Sequence, residues 1–65
     1  MNQFLATIMI PNPDDPGEYF EAGLHRVNGQ YVLSDSYGGN EEIAAWASEP
    51  KISTCIEHGA EFFKD

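Results

Sequence analysis

The dipeptide Asn28-Gly29 lies between two runs of alternating residues and constrains the fold more than any other feature of the sequence. Both residues tolerate the positive φ angles of a type I′ turn, which joins two antiparallel strands through a two-residue loop. Such a loop pairs Val27 with Gln30, and Leu24 with Leu33 further along. One face of the expected hairpin is then apolar and the other carries Glu21 and His25; the apolar face comprises Phe20, Ala22, Leu24, Tyr31 and Leu33.

The segment before this hairpin, residues 3–10, is apolar in both alternating phases. A strand of that kind is typical of a sheet covered on both faces, so we expect a central strand. Residues 11–17 contain three prolines and a glycine and are predicted to form a loop. Asp15, Pro16 and Glu18 also match the start of a helix, but the hairpin register favours a strand after the loop.

The segment after the hairpin predicts a loop at residues 34–40 and then a helix. Asn40 is a suitable N-cap, and Pro50 ends the helix. Glu41 and Glu42 would lie in the first turn, where the helix dipole favours anions. The buried stripe of this helix would comprise Ile43, Ala44, Trp46 and Ala47.

Beyond Pro50, apolar residues recur at helical spacing: Ile52, Cys55, Ile56, Gly59, Phe62 and Phe63. This pattern predicts a second helix with Glu57, His58 and Glu61 directed outward. A final strand is the alternative, because Thr54 is β-branched and Gly59 costs about 1 kcal/mol inside a helix.

These elements predict one α+β domain over residues 1–65, with a small antiparallel sheet of about three strands packed against one or two C-terminal helices. A single cysteine, Cys55, allows no internal disulfide and fits a reducing compartment. No secretion signal follows Met1. The longest apolar stretch, residues 4–10, is far shorter than the roughly 20 residues of a membrane helix. We therefore expect a cytoplasmic protein with no membrane contact.

The net charge is the strongest compositional signal, with eleven Asp and Glu against three Lys and Arg, giving −8. Such a field repels nucleic acid and attracts basic protein surfaces. An acidic surface that only maintains solubility is the alternative interpretation. Carboxylates spaced along one exposed face resemble a row of phosphates. The predicted contact residues for a basic, DNA-binding protein fall in two clusters: Asp14, Asp15, Glu18 and Glu21, and then Asp35, Glu41 and Glu42.

Other chemistry is less well supported by the residue pattern. Cys55 and His58 are one helical turn apart, as a thiolate and its base would be, but we interpret Cys55 as a core residue and both histidines as surface residues. The acids near Asp14 lack the alternation of a calcium loop. Gly38-Gly39 has no basic residue beside it to hold a phosphate. We expect no catalytic residue, no metal and no cofactor, in a monomer or weak homodimer.

A resemblance to a known family is carried by Phe4, Asn12-Pro13-Asp14, Gly17 and Glu21-Ala22-Gly23. At these positions the first third of the chain resembles small acidic phage-encoded anti-CRISPR proteins directed at type I surveillance complexes. Several of those proteins occupy the DNA-binding surface of the complex. The resemblance implies that the first acidic cluster contacts a DNA-binding Cas subunit in the cytoplasm of a bacterial host cell. It stops at Gly23, so the second cluster is assigned from charge alone.

The loop Pro13-Asp14-Asp15-Pro16-Gly17, with Gly23 beyond it, also resembles that of HicB-type antitoxins. In that family an acidic turn and a helix should follow, whereas here residues 24–33 are predicted to form a hairpin. The second hypothesis for function, which the net charge and this loop support, is an antitoxin or immunity partner of a small basic toxin. A third is a small catalytic domain or enzyme subunit that uses Cys55 and His58.

Overall fold

The computed structural model describes residues 2–36 and 40–64, which form a four-stranded antiparallel sheet and one helix. The elements in chain order are β1 (Asn2–Pro11), β2 (Tyr19–Val27), β3 (Gln30–Asp35), β4 (Glu42–Trp46) and α1 (Ile52–Phe63). Each strand lies beside the next, in the order β1-β2-β3-β4. The predicted α+β class is confirmed, with four strands rather than about three and with a single C-terminal helix.

The hairpin prediction is confirmed in register and in turn geometry. Asn28 and Gly29 have φ angles of 51° and 81°, as a type I′ turn requires. Val27 pairs with Gln30, and Leu24 with Leu33. The apolar face is also as expected; Ala22, Leu24 and Leu33 are buried, and Phe20 and Tyr31 are half-buried. The strand interpretation of the residues after the proline-rich loop is therefore correct.

The helix predicted to begin at Asn40 is wrong, because the structure has strand β4 there. Asn40 has a φ angle of 63°, which is outside the extended region that an N-cap adopts. Ala44 pairs with Leu33, and Trp46 with Tyr31, so these side chains extend the apolar face. Hydrogen bonding to β3 outweighs the helix propensity of a short alanine-containing segment, which would be marginal as a helix alone.

The expectation of a central first strand is also wrong, since β1 lies at the edge of the sheet. Ile8 and Ile10 face the helix and are buried, but Thr7 and Met9 on the other phase are exposed. The register with β2 shifts between Phe4 and Ala6, which marks a β-bulge at the intervening residue. An apolar sequence in both phases therefore does not mean that both faces are covered.

The helix α1 confirms the second predicted helix and excludes the final strand. It packs across one face of the sheet, where Cys55 and Gly59 are buried. A Cβ atom at Gly59 would overlap the side chain of Ile10, which explains a glycine inside the helix. Phe63 stacks on Phe20, with ring centroids 4.1 Å apart. The core thus lies between α1 and one sheet face, and the other sheet face has no element packed on it in the described part of the chain.

The predicted loop at residues 34–40 begins later than expected, because Ser34 and Asp35 belong to β3. Gly38-Gly39 lie outside the described residues. Within the described ranges, no helix has the length and apolar character needed to cross a membrane.

Candidate partner-binding surface

Both predicted acidic clusters lie at the same end of the sheet. In an antiparallel meander, β1 and β3 end where β2 and β4 begin. The β1–β2 turn and the start of β2 carry the first cluster, and the end of β3 and the start of β4 carry the second. We use the term acidic end for the surface formed here by six of these residues: Asp14, Asp15, Glu18, Glu21, Glu41 and Glu42.

Backbone hydrogen bonds connect the two clusters. The Ser36 N–H donates to the carbonyl oxygen of Glu21 at 3.1 Å, which joins the end of β3 to β2. The Asp35 N–H donates to the carbonyl oxygen of Glu41 at 2.9 Å, which joins β3 to the segment before β4. The backbone positions of the carboxylates are therefore set by the sheet itself.

The β1–β2 turn is closed by its own hydrogen bonds. The Asn12 N–H donates to the carbonyl oxygen of Glu18 at 2.9 Å, and the Glu18 N–H donates to that of Asp15 at 3.1 Å. The Asn12 side-chain oxygen accepts a bond from the Asp14 N–H at 2.9 Å. Gly17 has a φ angle of 94°, which a residue with a Cβ rarely adopts. The predicted loop is thus an ordered turn that presents its acids from a defined backbone.

The carboxylates of the two clusters differ in exposure. Asp14, Asp15 and Glu18 are exposed, as are Glu41 and Glu42, while Glu21 is half-buried. Asp35 is the exception, since only 7% of its surface is exposed and it pairs with Ala22. Asp35 therefore does not belong to the acidic end as a surface, although its backbone supports it.

Two of the three basic residues lie at the opposite end of the sheet. Arg26 precedes the β2–β3 turn, and its guanidinium lies 5.8 Å from the centre of the Tyr31 ring. Lys51 precedes α1, which runs from that end towards the acidic end. Lys64 follows the end of α1. The molecule therefore has a strong charge asymmetry along the strands.

The uncovered sheet face holds a feature that sequence reasoning missed. His25 is predicted at the surface, but it is half-buried, and its Nδ1 atom is buried with no hydrogen-bond partner among residues 2–36 and 40–64. The ring packs edge-on against Phe4, with centroids 5.5 Å apart. A Cβ atom at Gly23 would lie 2.8 Å from Nε2, so the glycine makes room for the ring. Gly23, two residues before His25 on the same face, is the sequence signal for this arrangement.

His25 also lines a shallow cavity of about 320 Å³ that opens onto this face. Ser34 and Glu42 line it from β3 and β4, so one acid of the acidic end reaches its rim.

The environment of Cys55 is unfavourable for a nucleophile. Its side chain is fully buried, and burial raises the pKa of the thiol above its ordinary value, which disfavours the reactive thiolate. His58 is exposed and lies edge-on to Trp46, with ring centroids 5.3 Å apart. The predictions of a core cysteine and a surface His58 are confirmed.

Among residues 2–36 and 40–64, no group of three or more His, Cys, Asp or Glu side chains is arranged to hold a metal ion. No family model, no curated protein and no solved structure matches the chain.

Proposed function

We propose that this protein is a phage-type inhibitor that binds a basic, DNA-binding subunit of a bacterial CRISPR-Cas surveillance complex and thereby blocks access by DNA. The acidic end is its contact surface. The observation that carries the proposal is the convergence of both acidic clusters at one end of the sheet. A field of this sign and density attracts a groove lined with Lys and Arg.

The spacing of the acids supports contact with more than one cation at a time. Glu21 and Glu42 lie two strands apart, which corresponds to about 10 Å across the sheet. Asp14, Asp15 and Glu18 extend the same end through the β1–β2 turn. A groove that neutralises successive phosphates of DNA can pair its Lys and Arg with carboxylates at such separations.

The backbone of the acidic end favours tight association. The hydrogen bonds from Ser36 to Glu21 and from Asp35 to Glu41 hold the clusters before a partner arrives. A preorganised surface loses little conformational entropy when it binds, so more of the interaction energy appears as affinity.

The test is inhibition of DNA binding by a purified, guide-loaded type I surveillance complex, followed by the anisotropy of a labelled target duplex. Replacing three turn acids (Asp14→Asn, Asp15→Asn and Glu18→Gln) should weaken inhibition by about tenfold or more, because each lost charge-assisted pair contributes about 1 kcal/mol or more.

The matched control compares two charges on each side: Glu49→Gln with Glu57→Gln, both exposed and outside the acidic end, against Asp14→Asn with Asp15→Asn. Both variants lose the same charge, so general attraction falls equally. The proposal expects the control to inhibit almost as well as the unaltered protein. Equal loss in both variants would make the position of the charge irrelevant, and undiminished inhibition by the turn variant would refute the contact role.

An antitoxin or immunity partner of a small basic toxin is the second candidate, since the same acidic end suits it. Co-expression with the toxin of an adjacent reading frame tests this function. Rescue of growth that fails in the turn variant, together with no effect of the protein on the surveillance complex, would favour the antitoxin.

A further inference from the structure

The outer edge of β1 is unlike the rest of this chain. The strand has ten residues, Asn2–Pro11, and none of them is charged, although the chain carries eleven acids. Phe4 is 58% exposed, Leu5 38% and Met9 49%. After the bulge, residues 6–11 keep a regular register with β2, so the N–H and C=O groups of alternate residues point outward as a template for another strand.

The opposite edge of the sheet has the protection that β1 lacks. The strand β4 has only five residues and begins at Glu42. Its register with β3 shifts between Leu33 and Ser34. A short, irregular and charged edge resists pairing with another chain, whereas a long uncharged edge accepts it. Each edge strand has one register shift, so the two edges differ in length and charge.

Apolar surface continues from the β1 edge onto both faces of the sheet. On the helix side, Leu5, Leu24 and Ile52 line a groove of about 570 Å³, and its lining also includes Glu49 and Lys51. Ile52 is 59% exposed. On the uncovered side, Met9 extends the apolar surface. A strand added at the edge would thus meet apolar side chains above and below its backbone, which makes burial favourable.

We propose that two copies of this chain pair through their β1 edges, antiparallel, to form a dimer with a continuous eight-stranded sheet. The occupant of each β1 edge is the same edge of the second copy, which is a self-complementary contact about a two-fold axis. The outer edges of the dimer are then the two β4 strands, and their charge and irregularity stop further growth. This proposal stands independently of the partner at the acidic end.

The charge distribution selects the antiparallel arrangement and this occupant. Parallel pairing would place the two acidic ends side by side. Antiparallel pairing separates them and sets the β1–β2 turn of each copy, with Asp14, Asp15 and Glu18, towards the end of the other copy that carries Arg26. Two surfaces of opposite sign then adjoin each other at both ends of the interface.

The test is sedimentation equilibrium of the full chain and of two charge variants. Thr7→Lys adds a charge at the centre of the β1 edge, at an exposed position. Ala45→Lys adds the same charge at an exposed position on β4. The unaltered protein should form a dimer with a dissociation constant below about 1 mM, and Thr7→Lys should weaken dimerisation by about tenfold or more. Ala45→Lys should change it by less than about twofold.

Hydrogen exchange keeps the proposal testable if a variant folds poorly. In the unaltered protein, alternate amides of β1 should exchange more slowly as the protein concentration rises, while the amides of β4 should show no such dependence. A protein that stays monomeric at about 1 mM would overturn the proposal. So would equal effects of the two lysine variants or concentration-independent exchange in β1.

Discussion

The acidic end and the β1 edge belong to one small sheet, yet they have opposite chemistry. The acidic end concentrates carboxylates from two distant segments on a hydrogen-bonded backbone. The β1 edge has ten residues without a charge and exposes Phe4 and Met9. An acidic surface that served only for solubility would be expected to mix its charges over the whole molecule, edges included. The two proposed contacts, with a basic partner at the acidic end and with a second copy at the β1 edge, would use these two surfaces separately.

The two surfaces depend on the same core, so a substitution in the core should have the largest effect. Leu33 is fully buried in the core, on the sheet face against which α1 packs. Leu33→Ala should lower the free energy of unfolding by about 2 to 5 kcal/mol, because it removes buried methyl groups and leaves a cavity. Urea denaturation followed by circular dichroism measures the loss.

Glu57→Ala is the control for this prediction, since Glu57 is exposed on α1; it should change stability by less than about 0.5 kcal/mol. If Leu33→Ala removed binding at only one of the two surfaces while the chain remained folded, the shared-core interpretation would fail.

The salt dependence of binding should differ between the two surfaces, and this effect is intermediate in size. Between about 0.05 and 0.5 M salt, affinity at the acidic end should fall by about tenfold or more, because screening weakens attraction to a basic partner. Pairing of the β1 edges should instead become several-fold tighter, because screening reduces the long-range repulsion between two copies of charge −8 more than it reduces the short-range attraction between their opposite ends.

Anisotropy and sedimentation equilibrium at matched salt concentrations measure these two responses. Slopes of the same sign would remove the distinction between the surfaces.

The smallest expected effect comes from replacing either of two glycines with positive φ angles. The two positions allow a direct comparison of the turns at the two ends of the sheet. Gly17 lies in the acidic turn and Gly29 in the hairpin turn at the other end, and a Cβ atom at either would meet nothing within 4 Å. Replacing either with Ala should cost about 1 to 2 kcal/mol of stability from backbone strain alone. Only Gly17→Ala should also weaken binding at the acidic end, by several-fold.

Thermal unfolding and the inhibition assay measure the two effects of these glycine variants. A similar loss of inhibition in Gly29→Ala, after correction for the folded fraction, would show that the local geometry of the acidic turn has no role.

Local sequence was a sound guide where a short-range rule decides the structure. The register of the hairpin follows from a two-residue loop that requires positive φ angles at Asn28 and Gly29. The helix α1 follows from apolar spacing over twelve residues. The same rules failed for β4, where a segment with helix-forming alanines gains more from pairing with β3.

The candidate surface was predictable in composition and not in arrangement. The sequence identifies the acids of both clusters, but nothing local states that the β1–β2 turn and the start of β4 lie at one end. It also gives no indication that Asp35 is buried while its neighbours in the cluster are exposed. The ring of His25 lies over Gly23 of the same strand, as their spacing signals, but its contact with Phe4 exists only once β1 and β2 are paired.

By itself the sequence determined the net charge of −8, the Asn28-Gly29 turn and the hairpin register, and it favoured a C-terminal helix over a final strand, because these depend on composition or on residues close together in the chain. Only the tertiary structure decided that β1 lies at an edge, that residues 42–46 form a strand and that both acidic clusters meet at one end. The physical reason is that strand pairing joins distant segments through backbone groups that are the same in almost every residue, so the choice among pairings depends on burial across the whole molecule.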